Sequence, residues 1–473
     1  MKKLLSLSLV VSSLLMADTD MDQLKEQMNK QQLIIEKLMQ KIEKLETTSN
    51  VTKPVINIDK EEVSQNTQKN DLPAKSKTFS QSSFMPDISL IADMSYVSRN
   101  KKNDVVEHLE VPGVAHGLLG SHTHDGNTHT PYNAKQGFNL NYAELSLSKS
   151  VDPSLNLNGI FHFSEDSVEI EELYFTTTGL GYGSRVKGGK FNSNFGYLNE
   201  QHHHYWSFAD MPLVYESFLG MHGINENGIQ FQWTAPTSTY LMIGAEVLQG
   251  NNEQMFGNSY IGSAESPTAA SENAPSLYVG YVKTSFDIDD TTIFAGLSYA
   301  QGSSRVDHSS DDENPHAFVG DSSLYGIDLT IKHYFDSYSF LTWQSEILSR
   351  DMDGKQYNFD ASGSVASSPD LIKQQSGLYS QLVYAPNKSW QMGVRYDSIF
   401  KNDVISNGVN QNKPSHLNKY SAMLEYHTSE FARLRLQYNK NNALYNEAGD
   451  KRSIETIILQ ANISIGAHGA HSF

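Results

Sequence analysis

Three consecutive imidazoles, His202, His203 and His204, stand between Glu200 and Asp210 in a segment running from Gly189 to Asn225. Neutral imidazole combined with carboxylate is donor chemistry for zinc, nickel or copper. Successive side chains cannot all face one way, so the spacing lets two of the three His meet Glu200 or Asp210 on one cation. A second group lies upstream, with His108, His116, His122, His124 and His129 among Glu107, Glu110 and Asp125. In an extended segment, His122-Thr123-His124 sets two imidazoles on one side. His308, Asp311, Asp312, Glu313 and His316 form a third group. None has the compact His-Glu-x-x-His spacing of a zinc helix, and no Ser, His and acid set stands out, so an enzyme is not expected. The expectation is weak binding of Zn2+ or another divalent cation, with no cofactor required. The alternative is hydrated acidic segments that hold His by composition alone.

The elements around these groups are strands. Ile88, Leu90, Ala92, Met94 and Tyr96 fall on one face, with Ser89, Asp93 and Ser95 on the other. Ile457, Leu459, Ala461, Ile463 and Ile465 likewise oppose Thr456, Gln460, Asn462 and Ser464. Sixteen such segments follow one another from 84–97 to 454–473. Short turns such as Val151-Asp152-Pro153, Asp287-Ile288-Asp289 and Thr428-Ser429-Glu430 join them at alternate gaps, and long polar loops fill the others. A water-soluble sandwich shows the same period but has no reason to sort its connections by length, whereas a transmembrane barrel does. The chain is therefore expected to be all-β, a 16-stranded antiparallel transmembrane β-barrel over 84–473, preceded by a short periplasmic coiled-coil helix. Its surroundings would be outer-membrane lipid of a Gram-negative bacterium. The His triplet then sits in the third external loop, whose aromatic and apolar residues predict that it folds against the wall and narrows the bore.

Bulk composition agrees. The 473 residues are 38% hydrophobic, and beyond the N-terminus no run approaches the roughly 18 apolar residues of a membrane helix. Cysteine is absent, which excludes disulfides and thiolate metal sites. A formal net charge of −18 argues against nucleic acid as a partner. Lys2 and Lys3 before the apolar run Leu4 to Met16, with Ala17 at its end, predict a signal peptide over 1–17. Met21, Leu24, Met28, Gln31, Ile35, Leu38, Ile42 and Leu45 recur at spacings of three and four, as the a and d positions of a coiled coil over 18–46. Self-association is one reading of that helix, and docking on another surface is the other. Residues 47–83 read as a flexible linker. Phe473 is in phase with the lipid-facing Leu459 and Ile463.

Residues opposite the apolar face should point inward: Arg185, Lys187, Glu246, Asp328, Lys332, Glu346, Arg395, Asp397, Glu425, Arg433 and Arg435. Placing them toward lipid would cost several kcal/mol near the midplane. Sixteen strands leave room for an aqueous channel, so these residues are expected to line a hydrated pore. The alternative is that they pair across a closed lumen.

The segment Glu172-Leu173-Tyr174-Phe175-Thr176-Thr177-Thr178-Gly179-Leu180, with Gly188-Gly189-Lys190-Phe191 and Phe195-Gly196, resembles the phosphate-selective porin superfamily. The run Asn199 to His204, Asp210-Met211-Pro212-Leu213 and Phe218-Leu219-Gly220 is similar to a subgroup described as zinc-regulated outer-membrane proteins. The resemblance implies an outer-membrane channel, a homotrimer, a link to metal supply, and recognition of the terminal aromatic by the barrel-insertion machinery. The expected function is a porin that lets small solutes diffuse passively, metal ions or their complexes among them. Two alternatives stand beside it: a TonB-dependent-type metal receptor, which needs a plug and typically about 22 strands, and a structural protein tethered through its coiled coil.

Overall fold

A computed structural model describes residues 85–466, apart from 117–121, 125–126, 166, 253, 264–265, 312–313 and 447. For 122–124, 127–129, 263 and 266 it describes the backbone alone. The signal peptide, coiled coil and linker expected over 1–83, and Phe473, lie outside the described residues.

Alternation becomes a closed cylinder. Its sixteen strands are β1 (Asp87–Arg99), β2 (Gly137–Asp152), β3 (Leu155–Phe163), β4 (Val168–Thr177), β5 (Ser184–Asn192), β6 (Asn225–Thr234), β7 (Tyr240–Leu248) and β8 (Leu277–Ile288). They continue with β9 (Thr291–His308), β10 (His316–Tyr334), β11 (Phe340–Phe359), β12 (Asp370–Asn387), β13 (Trp390–Ser406), β14 (Leu417–Ser429), β15 (Ala432–Tyr445) and β16 (Lys451–Gly466). Each pairs antiparallel with its neighbours in sequence, and β16 closes on β1 with Leu90 opposite Ile465 and Tyr96 opposite Leu459. Closure leaves the barrel wall no free edge, which spares every main-chain donor and acceptor there from facing hydrocarbon.

The outer face carries the apolar residues the alternation assigned to it. Ile88, Leu90, Met94, Ile457, Leu459 and Ile463 are all exposed on the outside. On β13, exposed Met392 and Val394 lie between exposed Trp390 and Tyr396, and Trp390 meets Tyr426 on β14 while Tyr396 meets Tyr420. Six residues of strand span about 20 Å, or about 15 Å of height at the usual tilt, which fits within the roughly 25 Å apolar band of an outer-membrane barrel. The molecule is an outer-membrane β-barrel.

Two expectations change. Strands expected to end at 302, 349 and 397 continue to His308, Phe359 and Ser406. Above the membrane the outward face meets water instead of lipid, so the apolar period-two signal fades although the ladder persists, as where exposed Asp353 lies opposite Asp321 and Ile372. The external gaps are correspondingly uneven: β3 and β4 are joined by residues 164–167 alone, whereas 193–224 separate β5 from β6.

The hydrophobic core lies inside the cylinder. Phe195, Leu213, Val214, Tyr215 and Phe218 of the loop 193–224 are completely buried, and so are Val111 of the first external loop, Phe256 of the fourth, and Leu324 and Leu348 of the wall. Each fully buried apolar side chain contributes roughly 1.5–3 kcal/mol. The loop's helix, Leu213–Leu219, begins immediately after Pro212 and ends at Gly220, whose φ of 76° is left-handed and whose N–H donates to Glu216 C=O.

Candidate functional site

An irregular loop inside a barrel buries N–H and C=O groups that have no ladder, and each needs a partner. The inward charges supply them. Carboxylates accept from loop amides: Glu246 from Asn194 (2.9 Å), Glu346 from Tyr197 (2.9 Å) and Leu198 (3.0 Å), and Asp397 from Leu213 (2.9 Å). Guanidiniums donate to loop carbonyls: Arg395 to Asp210 (2.9 Å), Arg433 to His204 (2.6 Å) and Arg435 to Trp206 (2.8 Å). Glu425 holds Arg435 at 2.6 Å. The sorting by sign follows from chemistry, since an amide needs an acceptor and a carbonyl a donor.

This corrects the expectation of a hydrated charged wall. All eleven positions face inward, but Glu246, Glu346, Arg395, Asp397, Arg433 and Arg435 bind the loop directly, and Glu425 does so through Arg435. Lys187 lies over the Tyr174 ring, Arg185 donates to Gln232, and Lys332 sits over Phe340 near the short-turn rim. Asp328 is buried, and neither of its carboxylate oxygens has a hydrogen-bond partner among the described residues.

Beside the loop, β2, β3 and β4 present Glu144, His162, Glu171 and Glu172. Strict alternation would send Glu171 and Glu172 to opposite faces. However, β4 bulges here: Ile160 pairs with Glu172 and Phe161 with Ile170, leaving Glu171 unpaired. The extra residue turns both carboxylates inward. A matching bulge at Asn141, where Asp93 pairs with Tyr142 and Met94 with Leu140, keeps Glu144 inward as well. Parity carried this signal: the exposed apolar residues are Val168 and Ile170, then Leu173 and Phe175, an even-to-odd switch that needs one inserted residue.

His202 and His204 join this cluster. His162 Nε2 lies 2.5 Å from Glu171 Oε2 and 3.3 Å from Glu144 Oε2. His202 Nδ1 lies 3.1 Å from Glu171 Oε2, its Nε2 lies 3.0 Å from Glu172 Oε2, and His204 Nδ1 lies 3.1 Å from Glu144 Oε2. The other expected ligands go elsewhere. His203 stacks on Tyr132 with its Nε2–H donated to Ala209 C=O, and burial pushes it down to about 4. Glu200 lies 3.6 Å from Lys283, and Asp210 is held by Arg395 and Lys419. Strands His122–His124 and Asn127–His129 form a small hairpin, with His122 opposite His129. Two of the His groups noted in the sequence meet at the external mouth, where His116, His308 and His316 have ring centroids 5.2–5.6 Å apart and His116 Nδ1 is 3.1 Å from Glu110.

No family model matches the chain. In shape it is similar to the anion-selective porin from Comamonas acidovorans (12% identity, 80% of this chain and 99% of that chain, TM-score 0.46). It is also similar to the outer membrane channel DcaP of Acinetobacter baumannii (12%, 80% and 96%, TM-score 0.45) and to Pseudomonas putida OprB (11%, 80% and 94%, TM-score 0.45). In sequence it is 46% identical over 396 residues to an uncharacterized protein of Aquifex aeolicus, covering 84% of this chain and 81% of that protein. Identity at that level over most of both lengths makes this chain a member of the same family as the Aquifex aeolicus protein.

Proposed function

We propose that the barrel is a narrow porin through which small hydrophilic solutes diffuse passively past the inner loop, divalent metal ions or their complexes among them. The observation that carries this reading is the loop 193–224 folded inside the cylinder and bonded to wall charges of both signs. Inward charges behind an apolar exterior suit a solute path, and a loop packed across the bore limits what passes. The likeness of the segment from Glu171 to Gly223 to zinc-regulated outer-membrane proteins supports metal among the solutes. Sixteen strands fit an energised receptor poorly, because such receptors use about 22.

Reconstitution in a planar bilayer tests it. Small discrete current steps are expected from the intact protein, rising several-fold when Leu213–Leu219 and its flanks are replaced by a short Gly-Ser bridge. Silence from both proteins would leave the structural, tethering role instead.

The oligomer in this reading is a homotrimer assembled with help from the coiled coil at 18–46. Replacing Leu38 and Ile42 with Ser removes one d and one a contact. Light scattering in detergent should then show monomers whose barrels still resist SDS, and an unchanged trimer would remove that role from the helix.

A further inference from the structure

We propose that Glu144, His162, Glu171 and His202 form a binding site for one zinc-class divalent cation, which ties the inner loop to the barrel wall. Their four donor atoms, Glu144 Oε2, Glu171 Oε2, His162 Nε2 and His202 Nδ1, all lie within 4.8 Å of one another. The separations between imidazole nitrogen and carboxylate oxygen are 2.5, 3.1, 3.3 and 3.9 Å. Donors placed at about 2.0–2.1 Å around a tetrahedral zinc ion stand about 3.3 Å apart, so the four already surround a point of the right size.

Proton chemistry serves this arrangement less well than a cation does. His162 Nε2 faces oxygens from two carboxylates, and a single N–H can be directed well at only one of them. His202 has a carboxylate at each ring nitrogen, Glu171 at Nδ1 and Glu172 at Nε2. With a metal on Nδ1, its Nε2–H donates to Glu172, the carboxylate–histidine pairing that orients a ligand imidazole. Two neutral imidazoles and two carboxylates bring two negative charges, which match a divalent ion inside a buried site. Mixed nitrogen and oxygen donors select zinc, nickel, cobalt or copper, whereas magnesium and calcium take oxygen cages. His204 Nδ1, also at Glu144 Oε2, supports that carboxylate from the loop side.

Access comes from the external rim. A cavity of about 340 Å³ reaches from Lys135 and Ser164 down to His162, and a smaller one touches Glu171; Tyr132, Met221 and His222 border both. Three of the donors are on adjacent strands and the fourth is on the loop. Binding free energy at the ion therefore adds directly to the free energy that holds the loop in the bore.

The site deepens the metal-permeable reading of the channel, but its binding arm is independent of conduction. Full-length protein in detergent is stripped with EDTA and titrated with zinc alone, with magnesium as the control, and cobalt absorption reports coordination geometry. One zinc per chain and a tetrahedral cobalt band are expected. The double variant H162Q/H202Q should weaken zinc by about 100-fold or more and lose the band, while His203→Ala and His116→Ala keep both. Heat-modifiable migration on SDS gels verifies that the barrel is folded; if the double variant does not fold, Glu171→Gln alone carries the same expectation. Unchanged zinc affinity in a folded H162Q/H202Q or Glu171→Gln protein overturns the site, as does loss on His116→Ala alone or equal affinity for magnesium. Zinc bound here by a protein that passes no current would sink the channel and keep the site, and current without zinc binding would do the reverse.

Discussion

Replacing Glu346 with Gln is expected to detach the first half of the inner loop while leaving the barrel closed. Four donors converge on this carboxylate: the amides of Tyr197 (2.9 Å) and Leu198 (3.0 Å), and the hydroxyls of Tyr215 (2.7 Å) and Tyr379 (2.5 Å). Each oxygen takes one amide and one hydroxyl. A Gln amide keeps one oxygen and turns an NH2 toward the other pair, so two bonds to a charged acceptor are lost and a loop amide faces a donor. Bonds to charged groups are each worth about 1.5–3 kcal/mol, and buried donors left unpaired cost a similar amount. Glu346 also sits opposite Asp328 across the strand pair. Neutralising it also relieves this buried like-charge contact, which offsets part of that loss. A net loss of about 3 kcal/mol raises the detached population by about 100-fold. Hydrogen exchange at the Tyr197 and Leu198 amides should quicken by that factor, with larger current steps. Slow exchange retained together with wild-type current would show that the loop does not depend on this carboxylate.

The barrel was legible because lipid imposes a rule on every second residue, and that rule leaves a mark wherever the rule operates. Leu459 and Ile463 read as lipid-facing from sequence and are exposed in the fold. Residues 350–359 carry no such mark, since the outward face of that part of β11, with Asp351 and Asp353, meets water instead of lipid, while Arg350 and Met352 are buried inside. The interior was half legible. Alternation tells that Glu346 and Arg395 point inward, but it cannot tell a water-lined wall from one that bonds a loop arriving from a distant part of the chain. Histidine type was legible while partnership was not: His202 finds Glu171 and Glu172 only because β4 slips register by one residue. The change of apolar parity between Ile170 and Leu173 was the available clue, and it predicts a bulge without saying what the freed side chain will meet. Glu200 and Asp210 show the converse. Their nearness in sequence to three His suggested shared ligation, yet each is claimed by cations from strands far along the chain.

Asp210→Ala should cost the most of any single change where the loop meets β13, β14 and β15. The Asp210 carboxylate accepts from Arg395 (2.8 Å), Lys419 (2.6 Å), Gln437 (2.6 Å) and Asn439 (2.9 Å), gathering β13, β14 and β15 around one loop residue. Arg395 retains Asp397 at 3.0 Å after the substitution. Lys419 has less reserve: its ammonium is buried, its remaining hydrogen bond is to the Met211 carbonyl at 3.5 Å, and Glu216 and Asp397 act on it only through space. Leaving a buried cation unpaired costs about 3–5 kcal/mol, more than the pair itself is worth. Lys419→Met alongside Asp210→Ala should therefore recover much of the loss, which a purely steric role for Asp210 would not allow. The pairing also fixes the sign with pH. Burial alone would raise the Asp210 carboxyl, but Lys419 and Arg395 outweigh it and hold the group well below the ordinary carboxylate range. Its contribution is thus fully present above the unfolded value of about 3.9 and fades only as pH falls toward the lower folded one. Thermal unfolding in detergent at pH 7 should separate wild type from Asp210→Ala by several degrees, with the gap closing in strong acid. A gap that stayed constant down to that range would mean the carboxylate's charge does not hold the loop.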